Sequence, residues 1–191
     1  MNEDSLDEFL SEVSPTVFLN YRKLLRVLRE AYTCGVPAMI AKSMTDRLAD
    51  ASGNTFYLGT PDPTVRRITS WLFTNIDDFD TLELLVVKLW RRHGREDIKL
   101  AGLIMANLPQ DPWHLFLSLL HEKETIESLL EVIEEIGRGS HTTPSLSHLQ
   151  KWIDRGGIYY QTVMLILHGK GSEIPDEVVR AAPPGGDIFE R

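Results

Sequence analysis

The sequence predicts an all-α fold, a HEAT-like or armadillo-type α-solenoid of about ten helices in antiparallel pairs. Two observations lead there. Apolar residues recur at helical spacing from one end of the chain to the other. Turn signals built from Gly, Pro and Asp cut that pattern into short segments, and no pair of alternating stretches reads as strands. Units of this length bury their apolar faces only against their neighbours, as stacked helix pairs do.

The segments follow in order. Leu6, Phe9, Leu10 and Val13 fall at i, i+3, i+4 and i+7, the stripe of a short amphipathic helix. Ser14-Pro15 reads as a cap with proline in the first turn, opening a helix with Phe18, Tyr21, Leu25, Leu28 and Tyr32 inward and Gly35 beyond its end. Pro37 starts another, with Ile40, Ala41, Met44 and Leu48 inward, and residues 50–61 read as a loop. Asp62-Pro63 opens a helix carrying Val65, Ile68, Trp71 and Leu72. Asp80 and Glu83 have capping-box spacing ahead of Leu82, Leu85, Val86, Leu89 and Trp90, and Gly94 is expected to stop that helix. Ile98, Ala101, Met105 and Leu108 mark its partner. A short helix runs from Trp113 to Leu120. Ile126, Leu129, Leu130, Ile133 and Ile136 form the next stripe, ended at Gly137. Thr143-Pro144 opens a helix with Leu146, Leu149, Trp152 and Ile153, and residues 158–168 are nearly continuously apolar. The domain reading is one helical-repeat domain over 1–170, its first 15 residues an acidic helix, and a loosely ordered tail over 171–191.

Composition narrows function. Hydrophobic residues make up 42% and charged residues 25%, ordinary globular values. The net charge is −8, which argues against a surface built to neutralise phosphates. Residues 1–15 hold Glu3, Asp4, Asp7, Glu8 and Glu12 and no base, so much of the imbalance is local. The lone cysteine, Cys34, has no partner for an internal bridge and is expected to be a buried thiol. No apolar run approaches the roughly 18 residues of a membrane helix, and the acidic start lacks a leader pattern. No membrane association and a cytoplasmic location are the expectations.

Motifs for chemistry are sparse. Gly157-Ile158-Tyr159 opens like a nuclease signature that nothing downstream completes. His121-Glu122 starts a zinc-protease pattern, but Thr125 stands where the second imidazole is needed. His93, His114, His121, His141, His148 and His168 show no ligand spacing, so no metal and no cofactor are expected. Basic residues cluster at Arg22, Lys23, Arg26 and Arg29, at Arg66-Arg67, and at Lys88, Arg91, Arg92, His93 and Arg95. Each is a solvated helix face, a last turn favoured by the helix dipole, or part of a phosphate-facing ridge if successive helix pairs stack.

Across residues 20–168 the chain resembles the AlkD-type DNA alkylation repair family, HEAT-like glycosylases of alkylated bases. Tyr57-Leu58-Gly59-Thr60-Pro61 followed by Arg66-Arg67 is similar to that family's Gly-X-X-X-Pro-X-X-Arg passage. Leu89-Trp90 with Arg95-Glu96 and Ala101 resembles the next passage, and Lys151-Trp152-Ile153 with Ile158 and Tyr159 a third. Ala38, Met39, Lys42 and Met44 fit an early helix. The resemblance aligns the family's Trp-Asp-X-Val-Asp active-site segment with Lys123-Glu124-Thr125-Ile126-Glu127 and its pocket arginine with Thr162. Family members also continue for further repeats beyond this point. An N-alkylated purine is cationic, and its departure leaves positive charge on the sugar, so excision calls for an aromatic face and a nearby carboxylate. Lys123 and Thr162 depart from that chemistry, while Glu127 or Glu124 retains a carboxylate.

The resemblance therefore implies a non-catalytic binding or scaffold module related to alkylation repair. The alternative is an active glycosylase for alkylated purines with Glu127 or Glu124 as its carboxylate. Arg66, Arg67, Arg91, Arg92, Lys123 and Tyr159 are the candidate DNA contacts. The expected partners are duplex DNA, weakly held, or a protein on the concave face or at the shortened C-terminal end.

Overall fold

The computed structural model describes residues 3–44, 55–121, 124–169 and 176–180. Helices supply all regular secondary structure among the described residues. Leu48 and Lys123 lie outside them. No helix among the described residues is long and apolar enough to cross a membrane.

The first elements differ from expectation at their caps. Helix α1 is Glu3–Ser11, and Leu6 and Leu10 bury it against the helices that follow. Pro15 opens only a 3-10 turn, Pro15–Leu19. The next helix, α2, waits for Asn20, whose side chain accepts from the backbone N–H of Arg22 and Lys23, and it runs Tyr21–Thr33. An Asn cap satisfies N–H groups that Ser14 leaves unmet, which moves the start downstream. Leu24, Leu28, Ala31 and Tyr32 form its buried face, with Leu25 half-buried. Helix α3 is Ala38–Met44, where Ala41 is buried and Ile40 is exposed. Cys34 is half-buried rather than enclosed; burial, with Glu30 nearby, pushes its thiol pKa up.

The middle of the chain packs as the apolar spacing predicts. Helix α4 is Asp62–Asn75, α5 Phe79–Arg92, α6 Arg95–Asn107 and α7 Pro112–Leu119. The expected inward residues Val65, Ile68 and Leu72 of α4 and Leu82, Leu85, Val86, Leu89 and Trp90 of α5 are buried. Asp78, not Asp80 with Glu83, caps α5, accepting from the N–H groups of Asp80 and Thr81. His93 ends α5 in a left-handed conformation, φ 54° and ψ 36°. Gly94, expected to stop α5, instead opens α6 with an ordinary φ of −81°. Its glycine answers a close approach: a Cβ there would lie 2.0 Å from the Phe56 ring.

The later helices are α8, Ile126–Arg138; α9, Leu146–Ile153; α10, Gly157–Gly169; and α11, Asp176–Arg180. α8 runs past Gly137 to a cap at Gly139, and Leu130 is exposed while Val132 takes the inward place. Within the stretch read as tail, Val178 is buried and its carbonyl accepts the Tyr160 hydroxyl at 3.0 Å.

The core centres on α6, which packs against α4, α5, α7 and α8. α8 also packs against α10, and α10 against α9. Every residue from Glu96 to Ala106 is buried, and Gly102 brings α6 so near α8 that a Cβ would meet the Val132 Cα at 3.2 Å. A helix enclosed on four sides has no solvated face left, so its charged residues must find partners inside. Gly94→Ala is expected to destabilise the protein by about 1–3 kcal/mol through overpacking against Phe56. Urea unfolding checks it; a loss of under about 0.5 kcal/mol would mean that the ring moves aside freely.

Candidate functional site

Glu124, one of the two expected catalytic carboxylates, sits in the connection before α8 with its side chain only 4% exposed. Its Oε1 accepts the indole N–H of Trp90 at 3.0 Å. His93 Nε2 lies 3.7 Å from Oε2, too far for a hydrogen bond, and Oε2 has no hydrogen-bond partner among the described residues. Trp90 is itself buried, edge-on to Phe116 at 5.7 Å. Burial raises the Glu124 pKa; the neighbouring His93 and the Trp90 indole N–H work in the opposite direction. The unusual backbone of His93 thus presents an imidazole to a buried carboxyl.

Glu127, the other candidate, is exposed in the first turn of α8. An acid there is explained by the helix dipole alone. Thr162 is fully buried, and its hydroxyl donates to the Ile158 carbonyl one turn earlier at 2.7 Å. The described residues therefore do not bring the two carboxylates and the position aligned with the pocket arginine into one open site.

The candidate DNA contacts are largely engaged elsewhere. Arg66 donates from Nη2 to both oxygens of Glu135 at 2.9 and 2.8 Å. Arg67 forms a two-pronged pair with Asp7 of α1, at 2.8 and 2.7 Å. Arg92 pairs through Nε and Nη2 with both oxygens of Asp97 and donates from Nη1 to the Leu25 carbonyl at 2.6 Å. Arg91 is exposed. Tyr159 stacks on Trp152 with ring centroids 5.7 Å apart, Arg155 covers its ring at 3.4 Å, and its hydroxyl donates to the Leu120 carbonyl at 3.3 Å.

Sequence reasoning missed two buried polar groupings. In the first, Glu96 Oε1 accepts the N–H groups of Leu58 at 2.9 Å and Thr60 at 3.3 Å, joining two of the passages that carry the family resemblance. Tyr32 donates to Asp97 at 3.0 Å beside it, and Thr60 Oγ1 to the Tyr32 carbonyl at 2.9 Å. In the second, Lys99 Nζ meets Glu131 at 2.5 Å, Glu135 at 2.8 Å and Asp62 at 3.1 Å. Arg95 reaches Asp62 and Glu131 at 3.5 and 3.6 Å, and Arg138 reaches Glu135 at 2.6 Å. Burial works against both charges, but the three carboxylates hold the Lys99 pKa up, and Lys99 with Arg66 holds the Glu135 pKa down. The one sequence signal was Lys99 itself, placed between Ile98 and Leu100 in an apolar run.

No group of three or more metal-ligating side chains occurs among the described residues. No protein-family model, curated protein or solved structure matches the chain.

Two buried glutamates should carry opposite pH signatures. The Glu135 pKa is lowered on folding, so its stabilisation is present above the unfolded carboxyl value near 4.3 and fades on acidification. Glu135→Gln is expected to cost about 3 kcal/mol at pH 7 and progressively less below about pH 4. The Glu124 pKa is raised, so the folded state favours the protonated form and loses stability as pH rises past the unfolded value. Glu124→Gln should be as stable as wild type near pH 4 and more stable above pH 7. Urea unfolding across this range checks both, and parallel curves for the two variants would contradict the assignment.

Proposed function

We propose that the chain is a HEAT-like, armadillo-type helical-repeat module that holds a protein partner and does not excise bases, in keeping with its resemblance to the AlkD-type repair proteins. The packing of α4, α6, α8 and α10 in succession, with α5 and α7 against α6 and α9 against α10, supports a two-layer repeat arrangement. The observation that carries the functional reading is the pairing of cations. Arg66, Arg67, Arg92, Arg95 and Lys99 each lie within ion-pair distance of at least one carboxylate. Phosphate binding needs cations that exchange only counterions; these would have to abandon carboxylates, some of them buried. On a chain of net charge −8 that exchange is unfavourable.

A glycosylase remains the second reading, because Glu124 is held beside Trp90 and His93. Two features weigh against it. A carboxyl whose pKa burial raises is a poorer source of negative charge for a developing sugar cation. Its indole neighbour offers an N–H to the carboxylate from within the core rather than an open face to a cationic base.

Purified protein is expected to release no methylpurine from alkylated duplex above the spontaneous rate. Release that is abolished by Glu124→Gln or Glu127→Gln would make it an enzyme. Duplex binding should be weak, with log affinity falling against log salt by about 0.9 per phosphate neutralised. Tight, lesion-selective binding at physiological salt would overturn the reading.

A further inference from the structure

Helix α2 places its charges against the pattern of α4, α5, α6 and α8. Its first turn carries Arg22 and Lys23 and no acid, and its last turn carries no base. The first turns of α4, α5, α6 and α8 contain Asp62, Asp80, Glu96 with Asp97, and Glu127 respectively. The helix dipole favours acids at that end, so Arg22 and Lys23 cost α2 stability instead of adding it. Asn20 offsets part of this cost by accepting from both backbone N–H groups, at 3.0 and 3.2 Å. Residues that break a local rule with no structural return are where function concentrates.

The exposed surface of α2 is correspondingly cationic. Arg22, Arg26 and Arg29 fall at i, i+4 and i+7 on one face with Lys23 beside them, and all four are exposed. Leu24, Leu28, Ala31 and Tyr32 occupy the buried side. One acid shares the exposed side: Glu30, 3.9 Å from Arg26 Nε, at the outer limit of an ion pair. Among the described residues no carboxylate lies within ion-pair distance of Arg22, Lys23 or Arg29. Arg29 is fixed over the Phe56 ring at 4.5 Å, beyond ion-pair distance of Asp97, whose pKa burial raises and the Arg29 charge helps to lower.

We infer that this face of α2 docks a short acidic, amphipathic helical segment of a protein partner. The charge complement of these four exposed cations, of which only Arg26 reaches a carboxylate even at the outer limit of an ion pair, is an acidic strip. The arginines span about 10 Å along the axis, roughly two turns, which matches one short helix. A duplex needs cations spread over many phosphates, whereas Arg66 and Arg67 on the adjacent α4 are held by Glu135 and Asp7. An apolar component follows from Leu19, 88% exposed immediately before Asn20 and three residues from Arg22.

The inference rests on the binding-module reading and names its partner. The probe is a fluorescein-labelled three-turn peptide with Glu and Leu at helical spacing, read by anisotropy at low salt. A short duplex serves as competitor, and amide shifts map the contact. Wild type is expected to bind with shifts centred on α2. Arg22→Glu/Lys23→Glu, both in the first turn, should weaken binding by about tenfold or more while raising Tm, because the reversed charges now suit the dipole. The Tm rise separates lost docking from lost folding. Unchanged affinity in the double variant, shifts mapping away from α2, or displacement of the peptide by duplex would overturn the assignment. So would self-association that the double variant abolishes, which would make a second copy the occupant. Base release from alkylated duplex would defeat the binding-module reading while leaving the peptide result unaffected, so the two failures are distinguishable.

Discussion

The ammonium of Lys99 lies inside the protein, 4% exposed, and the arrangement of the surrounding helices depends on how that charge is met. Glu135, 1% exposed, approaches from α8, Asp62 from α4, and Glu131 from one turn earlier on α8. Removing Lys99, or the buried Glu135, leaves buried charge short of a partner, which costs more than an exposed ion pair contributes. The same carboxylates draw in Arg66, Arg95 and Arg138, so three helices are tied at one end by a shared network. Apolar packing along Ile98, Ala101 and Met105 supplies the bulk of the burial. Apolar contact has little directional preference; the charges fix how far α4 and α8 slide along α6.

Such a network consumes cations. Arg66, Arg67 and Arg92, which a sequence scan marks for phosphates, are turned to carboxylates in the fold, and the segment that resembles the repair family's active site carries one buried and one exposed glutamate. The cluster of exposed cations on α2 remains, and in its first turn the charge opposes the dipole instead of serving it. An acidic chain with one such cationic helix is suited to choosing an acidic partner by electrostatic complementarity, which governs specificity and encounter more than raw affinity.

The helices were legible in the sequence because apolar spacing is a direct record of which faces are buried. Val65, Ile68, Leu85, Leu89, Ile98 and Met105 are all buried as that spacing requires. Caps were less so, since several polar residues near each boundary compete and geometry selects among them: Asn20 over Ser14, Asp78 over Asp80. Gly94 was read correctly as a boundary and wrongly as a helix stop, because a ring contact from Phe56, distant in sequence, dictates it. The polar interior was illegible for a physical reason. Charged residues such as Glu96, Asp97 and Lys99 read from sequence as solvated, and only the enclosure of α6 on four sides turns them inward, with Glu135 of α8 facing Lys99. For the candidate site, the sequence singles out Glu124 as a carboxylate, but its burial beside Trp90 and His93 depends on contacts more than thirty residues apart.

A double-mutant cycle on Lys99→Met and Glu135→Gln tests most directly whether these charges belong to the fold. Both single variants and the double variant are unfolded in urea at pH 7. If the network ties α6 to α8, the double variant should be more stable than the sum of the single losses implies, by a coupling of about 1–3 kcal/mol. Losses that add to within about 0.5 kcal/mol would show two independent side chains and contradict the account.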